Sequence, residues 1–232
     1  MGYPELSSRT HNGSDFAYRY DLGKKSFGSV PPIRDWYLAS QLNYGFTYQS
    51  LETVESLYQE FVVLCEEEAY LKVLEPKYQQ ATKLTPGQPA PDIELKDLEG
   101  NWVRISDFKG KIIYMDFWGI GCGPCIYEFE NSKAEFQQKY GNQDIVFIYV
   151  NVSDQEDDWK KGVEKYKLDG VNLIAEGWNK HPACQAYNVK GIPHYVLIDK
   201  EGNIVNNKCD QPSMLLMRGE NNELEKLLQR YK

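Results

Sequence analysis

No apolar run in this chain is long enough to cross a bilayer. The best stretch, residues 145–150, falls far short of the roughly twenty residues a spanning helix needs. Basic charge is not in surplus either. Acidic residues number 34 against 26 basic ones, for a net charge of −8, and nothing forms the basic face that a phosphate backbone requires, so nucleic acid is not an expected partner. The opening residues, Met1-Gly2-Tyr3-Pro4-Glu5, lack a basic region leading into an apolar stretch, so no secretory signal is expected in the sequence as given. Cysteine is scarce. The five present, Cys65, Cys122, Cys125, Cys184 and Cys209, are too few and too scattered for a disulfide-scaffolded domain, and the odd number leaves at least one unpaired. The absence of internal repeats and low-complexity tracts excludes a solenoid or a disordered interaction segment in the second half.

What is present suits packed structure. A length of 232 residues with 41% apolar content allows one large domain or two modest ones. Residues 85–91 hold three prolines and a glycine, which interrupt helices and suit an extended connection. The expected division is a mainly helical region, 1–85, followed by an α/β domain, 86–232. In the first region Leu51, Val54, Leu57, Tyr58, Phe61, Leu64 and Cys65 recur at helical spacing, which predicts a helix over 48–65 with one buried face. Further helices are expected at 33–42 and 69–84, the second kinked or interrupted at Pro76. The polar stretch 7–14 gives no element, and the alternation of Phe16, Tyr18 and Tyr20 suggests a short edge strand. Cys65 reads as core and Glu66-Glu67-Glu68 as a solvated corner.

After the linker, 93–95 and 103–105 flank a Glu-Gly-Asn turn and predict a hairpin. Strands are then expected at 111–118, 145–152, 195–199 and 204–205, with helices at 123–140, 155–166 and 222–231. Alternating elements ending in a hairpin and a helix imply a central mixed sheet covered on both faces.

The chemistry centres on Asp116-Phe117-Trp118-Gly119-Ile120-Gly121-Cys122-Gly123-Pro124-Cys125, where a strand runs into two cysteines at a helix start. A free thiol near pKa 8.5 is mostly protonated at neutral pH. At the first turn of a helix, unpaired N–H groups and the positive end of the dipole favour negative sulfur, so Cys122 is the expected nucleophile. Cys125 lies one turn on, placed to attack a mixed disulfide at Cys122. Gly123 permits the turn, and Pro124 is tolerated where its missing N–H would go unbonded anyway. Asp116 interrupts an apolar strand. Burial would raise its pKa and fit it to accept the proton of Cys125 as general base, the favoured reading over a carboxylate pointing to solvent at the strand edge.

Asp116-Phe117-Trp118, Cys122-Gly123-Pro124-Cys125 and Ile192-Pro193 together resemble the buried acid, active site and cis-proline loop of the thioredoxin superfamily. The resemblance covers roughly 86–232. Residues 87–92 with the leading hairpin, Ser106-Asp107-Phe108-Lys109-Gly110-Lys111 and the segment around 153–175 look like the TlpA/ResA branch of exported thiol:disulfide oxidoreductases. That resemblance implies a thioredoxin-like fold and a redox-active Cys122–Cys125 disulfide with no other cofactor. Pro193 would be cis, setting Ile192 beside Cys122 for strand-like pairing with a substrate. Trp118, Gly123, Pro124, Ile192 and Pro193 are then the substrate-facing residues. The implied partners are a disulfide-containing protein substrate and an upstream membrane or soluble thiol donor, in the periplasm or otherwise outside the cytoplasm. Two positions depart from the branch: Gly121 stands where many relatives carry tryptophan, and no proline follows Cys125, so a straighter helix is expected. Glu128 resembles a recurrent acidic position but reads as a surface glutamate, and His194 receives no role.

Other readings use the same residues. A zinc site would need Cys184 and Cys209 as further thiolates, and they lack ligand spacing. A peroxidase would need partners that the sequence does not offer. A disulfide isomerase or oxidant on the same fold, or a partner-binding module, would keep the fold and change the use.

Overall fold

The structure is a computed structural model and describes residues 13–231 apart from 142, 153 and 154. Most of the polar stretch 7–14 lies outside the described residues. The chain forms two compact units, Met1–Thr82 and Lys83–Lys232.

The first unit comprises α1 (Gly13–Phe27), α2 (Pro31–Tyr48), α3 (Leu51–Leu64) and α4 (Glu68–Thr82). The edge strand expected at 16–20 is instead part of α1. Phe16 and Tyr20 are buried and Tyr18 is exposed, a pattern that fits alternation but equally fits one helix face, where residues four apart align. Phe16, Tyr20, Leu38, Leu42, Phe46, Val54, Tyr58, Phe61 and Leu74 make the core. Pro76 lies inside α4 without ending it. Cys65 caps α3 at the margin of this core and is partly buried.

A buried ion pair fastens α2 to the corner between α3 and α4. Arg34 Nε donates to Asp35 Oδ1 at 2.9 Å and its Nη2 to the Leu64 carbonyl at 2.9 Å, while the Glu66 N–H donates to Asp35 Oδ2 at 2.8 Å. Burial alone would raise the Asp35 carboxyl, but the Glu66 N–H and the Arg34 guanidinium hold it below its ordinary value.

The second unit is built on a seven-stranded mixed sheet in the order β2-β1-β5-β4-β3-β6-β7. The strands are β1 (Glu94–Lys96), β2 (Trp102–Arg104), β3 (Ile112–Trp118), β4 (Ile145–Asn151), β5 (Val171–Ile174), β6 (His194–Ile198) and β7 (Ile204–Cys209). β3 runs parallel to β4 and antiparallel to β6, and it is buried along its whole length. That is the burden of a central strand covered on both faces. The helices are α5 (Gly123–Asn131), α6 (Lys133–Tyr140), α7 (Glu156–Tyr166), α8 (Pro182–Ala186), α9 (Pro212–Arg218) and α10 (Glu223–Gln229).

Alternate residues of β3 serve different layers. Tyr114 and Trp118 join Phe129, Phe136, Tyr149 and the two cysteines on one face; Ile113, Met115 and Phe117 join Tyr187, Val196 and Ile198 on the other. The single helix expected over 123–140 is broken at Ser132, whose φ of −123° and ψ of −29° leave helical geometry. A bend arises there without proline, so the straighter helix expected from the missing proline is not found. Past the break, the largely buried Lys133 turns its ammonium to the carbonyls of Tyr166 and Lys167 at the end of α7. β5, α8 and α9 were not expected. Each has seven residues or fewer, too short to establish a period. β5 joins the β1–β2 hairpin to the rest of the sheet through Lys96 and Ile174.

Candidate active site

β3 ends at Trp118, and the chain turns through Gly119-Ile120-Gly121 to begin α5 at Gly123. Cys122 is the N-cap of that helix. Its sulfur takes the place usually held by a serine or aspartate oxygen and accepts the Cys125 N–H at 3.2 Å. The two cysteines are joined by a disulfide, with Cα atoms 5.3 Å apart. Cys122 keeps 7% of its surface exposed and Cys125 none, so an attacking group from outside meets Cys122 first. Gly123 and Pro124 are exposed beside it. A Cβ built on Gly121 would meet nothing within 4 Å, so the rim beside Cys122 is open at this position.

The Ile192–Pro193 bond is cis, and β6 begins immediately afterwards with His194 paired to Phe117. This register brings the proline loop to the end of β3 from which Cys122 emerges. Ile192 is half-buried and packs on the cluster that contains both cysteines. His194 faces the opposite layer, its ring edge-on to Phe117 at 5.8 Å. Trp118, expected on the substrate-facing surface, is fully buried. Its indole stands edge-on to Phe129 at 5.2 Å and lies against Gly162 of α7, where a Cβ would come within 3.0 Å of the ring. It supports the site from beneath.

Asp116 is 2% exposed on the dithiol side of β3, and its Oδ1 has no hydrogen-bond partner among the described residues. Burial, and then the charge of Glu128, push its carboxyl well above the usual range. Glu128 corrects the surface assignment made from sequence: it is 1% exposed, and its two oxygens accept the Ser213 hydroxyl at 2.6 Å and the Ser213 N–H at 3.0 Å. The available signal was its position three residues after Cys125, which places it on the same face of α5. Two buried carboxyl groups thus lie under one disulfide.

The two other thiols of the second unit, Cys184 and Cys209, are buried. Burial pushes Cys184 up to about 11 and Cys209 well above its ordinary value, the latter helped by Glu223. They sit on opposite faces of the sheet, and among the described residues no cluster of three or more His, Cys, Asp or Glu could hold a metal ion.

The folded chain holds a proton on Asp116 over a pH range in which the unfolded chain has released it. Stability from this group is therefore full below about pH 4 and is lost as pH rises through the elevated folded value. Asp116→Asn is expected to remove that loss and raise urea resistance at neutral pH. Glu128→Gln is expected to pull the upper limit of the window downward. Urea unfolding between pH 4 and 9, followed through amide exchange in β3, checks both; an unchanged pH slope in Asp116→Asn would show that the carboxyl is not elevated.

Residues 85–227 match the Redoxin family. The chain is 32% identical over 127 residues to the thiol-disulfide oxidoreductase ResA of Geobacillus kaustophilus, covering 55% of this chain and 71% of that protein. A crystal structure from Bacteroides vulgatus, named as a candidate thiol-disulfide oxidoreductase, aligns at TM-score 0.54 and 36% identity over 64% of this chain and 99% of that one. The thioredoxin domain of a Bacteroides vulgatus thiol-disulfide oxidoreductase aligns at TM-score 0.54 and 31% identity over 62% and 99%.

Proposed function

From membership of the Redoxin family, to which this chain belongs as a TlpA/ResA-like thiol:disulfide oxidoreductase, we propose that it reduces disulfides in other proteins through Cys122 and Cys125. The observation that carries this reading is a disulfide at a helix N-cap, with Cys122 7% exposed, Cys125 fully buried, and a buried acid on the same side of the sheet.

In the reduced protein the N-terminal N–H groups of α5 favour thiolate at Cys122. That thiolate attacks one sulfur of a partner disulfide; the partner's S–S bond breaks, its other sulfur leaves as thiolate, and a mixed disulfide joins the proteins. Cys125 then attacks Cys122. Its proton passes to Asp116 once that carboxyl is ionised, the partner leaves with both sulfurs reduced, and the enzyme is left oxidised. The edge of the cis Ile192–Pro193 loop offers backbone groups to an extended substrate, with Gly123 and Pro124 as the bare floor beside Cys122. An outside thiol donor, soluble or membrane-bound, returns the two electrons. The substrates are exported proteins and the compartment is periplasmic or otherwise extracytoplasmic. That assignment is supported by the resemblance to the ResA relatives; no described helix is long and apolar enough to cross a membrane.

The Gly-Pro pair between the cysteines supports the reducing direction by its likeness to thioredoxin. Equilibrating the full chain in glutathione or dithiothreitol buffers, with Cys65, Cys184 and Cys209 replaced by alanine, gives the potential by thiol alkylation. A value below about −220 mV is the expected result, and one between about −180 and −120 mV would instead make the protein an isomerase or oxidant.

A further inference from the structure

Four of the buried tyrosines in the second unit end on a named partner. Tyr114 donates to the Asp210 carbonyl at 2.9 Å, Tyr140 to Glu225 at 3.0 Å and Tyr187 to the Pro91 carbonyl at 2.7 Å, while Tyr149 accepts from Gln137 Nε2 at 3.1 Å. Tyr195 differs. It is 4% exposed, and its hydroxyl meets no partner among the described residues. Phenylalanine would fill the same space without a buried, unbonded hydroxyl, which is a net cost to the fold.

The register shows what the hydroxyl is near. Tyr195 stands directly across from Asp116 in the β3–β6 ladder, on the layer that holds the two cysteines, and its ring stacks on Tyr114 at 5.5 Å and 24°. Asp116 Oδ1 is the other acid atom of this layer that is buried and unpartnered. The charges acting on the phenol are Asp116 from β3 and then Glu128 from α5, followed by Tyr149 from β4 and Cys209 from β7. Tyr149 is occupied with Gln137, Cys209 faces Glu223, and both oxygens of Glu128 are held by Ser213.

The reaction gives this arrangement a use. Burial keeps a proton on Asp116, and the carboxyl has to give that proton up before it can take the one from Cys125, yet it is too buried to exchange freely with bulk water. A hydroxyl can accept a proton on oxygen while giving up its own, which a phenyl ring cannot do. We propose that Tyr195 is a positioning residue for the proton of Asp116, its hydroxyl and one internal water carrying that proton off Asp116 Oδ1. Tyr195 ends each passage as it began, and the electrons stay with the sulfurs. An internal water suits the place, because it would find the polar partners it needs in the phenol and the two carboxyl groups.

This inference rests on Asp116 being the base for Cys125, and the two claims can be separated. Reduced full-length protein mixed with a nitrobenzoate disulfide releases one coloured thiolate as Cys122 attacks and a second as Cys125 resolves. Tyr195→Phe is expected to slow the second release on the order of ten-fold. The first release and the equilibrium potential should not change, since a relay alters a rate and not an end state. Adding Tyr195→Phe to Asp116→Asn should slow the second release no further. If Tyr195→Phe resolves at the native rate while Asp116→Asn is slow, the relay is wrong; if Asp116→Asn is also at the native rate, the base assignment falls instead. A shifted potential or a slowed first release in Tyr195→Phe would mark a packing role and overturn the proposal. Should that variant fold poorly, the native protein in deuterium oxide gives an independent reading: no isotope effect on the second release would overturn the relay.

Discussion

Cys122→Ser is expected to abolish disulfide exchange, and Cys125→Ser to leave the protein covalently bound to its substrate. The first loss is expected to be at least on the order of 10³-fold, because no other thiol of the second unit can substitute for the nucleophile. Cys125 has no exposed surface, and burial keeps Cys184 and Cys209 protonated. Cys125→Ser retains Cys122, the more accessible of the two sulfurs, at the helix start, so attack proceeds while resolution stops. Mass spectrometry of that variant with a disulfide-bonded protein should find one adduct per chain at Cys122. Adducts at Cys184 or Cys209, or turnover by Cys122→Ser, would move the chemistry elsewhere.

Asp35→Ala loosens the helical unit by about 3 kcal/mol, the lower end of what breaking a buried ion pair costs. The lower end applies because Arg34 keeps the Leu64 carbonyl and Glu66 as neighbours. Two groups nevertheless lose the same carboxylate at once, the Arg34 guanidinium and the Glu66 N–H. Replacing the pair together, Arg34→Met with Asp35→Leu, should cost less than Asp35→Ala alone, since no charge is then stranded. Amide exchange in α2 measures both variants. Equal protection in Asp35→Ala and the native chain would mean that packing, not the pair, fastens α2.

The long elements and the dithiol were legible in the sequence because each repeats a signal over many residues or concentrates it in a motif. β3 and β4 are sustained apolar runs, α3 and α7 carry helical periodicity, and Cys122 and Cys125 announce themselves by spacing. Asp116 was legible as a charged residue inside an apolar strand. Trp118 and Glu128 were misplaced for a shared reason: how deep a residue sits depends on what other elements lay over it. The cover of Glu128 comes from Ser213, 85 positions away in the chain, at the start of a helix too short to foresee. Tyr195 read as one apolar residue in a strand; only the pairing register sets it opposite Asp116. Phe16 and Tyr20 were misread because four is a multiple of two, so three aromatic positions could not distinguish a strand from a helix.

The strand order has a consequence for how such a chain can change over generations. The strand bearing Asp116 has β6 and β7 on one side and β4, β5, β1 and β2 on the other, so neither margin of the sheet touches the reacting atoms. Margins are where a sheet gains, loses or lengthens strands at least cost. The β1–β2 hairpin, whose strand pairing with β5 among the described residues is through Lys96 and Ile174, is the kind of margin a lineage can extend or trim while the sulfur chemistry at the centre is inherited intact.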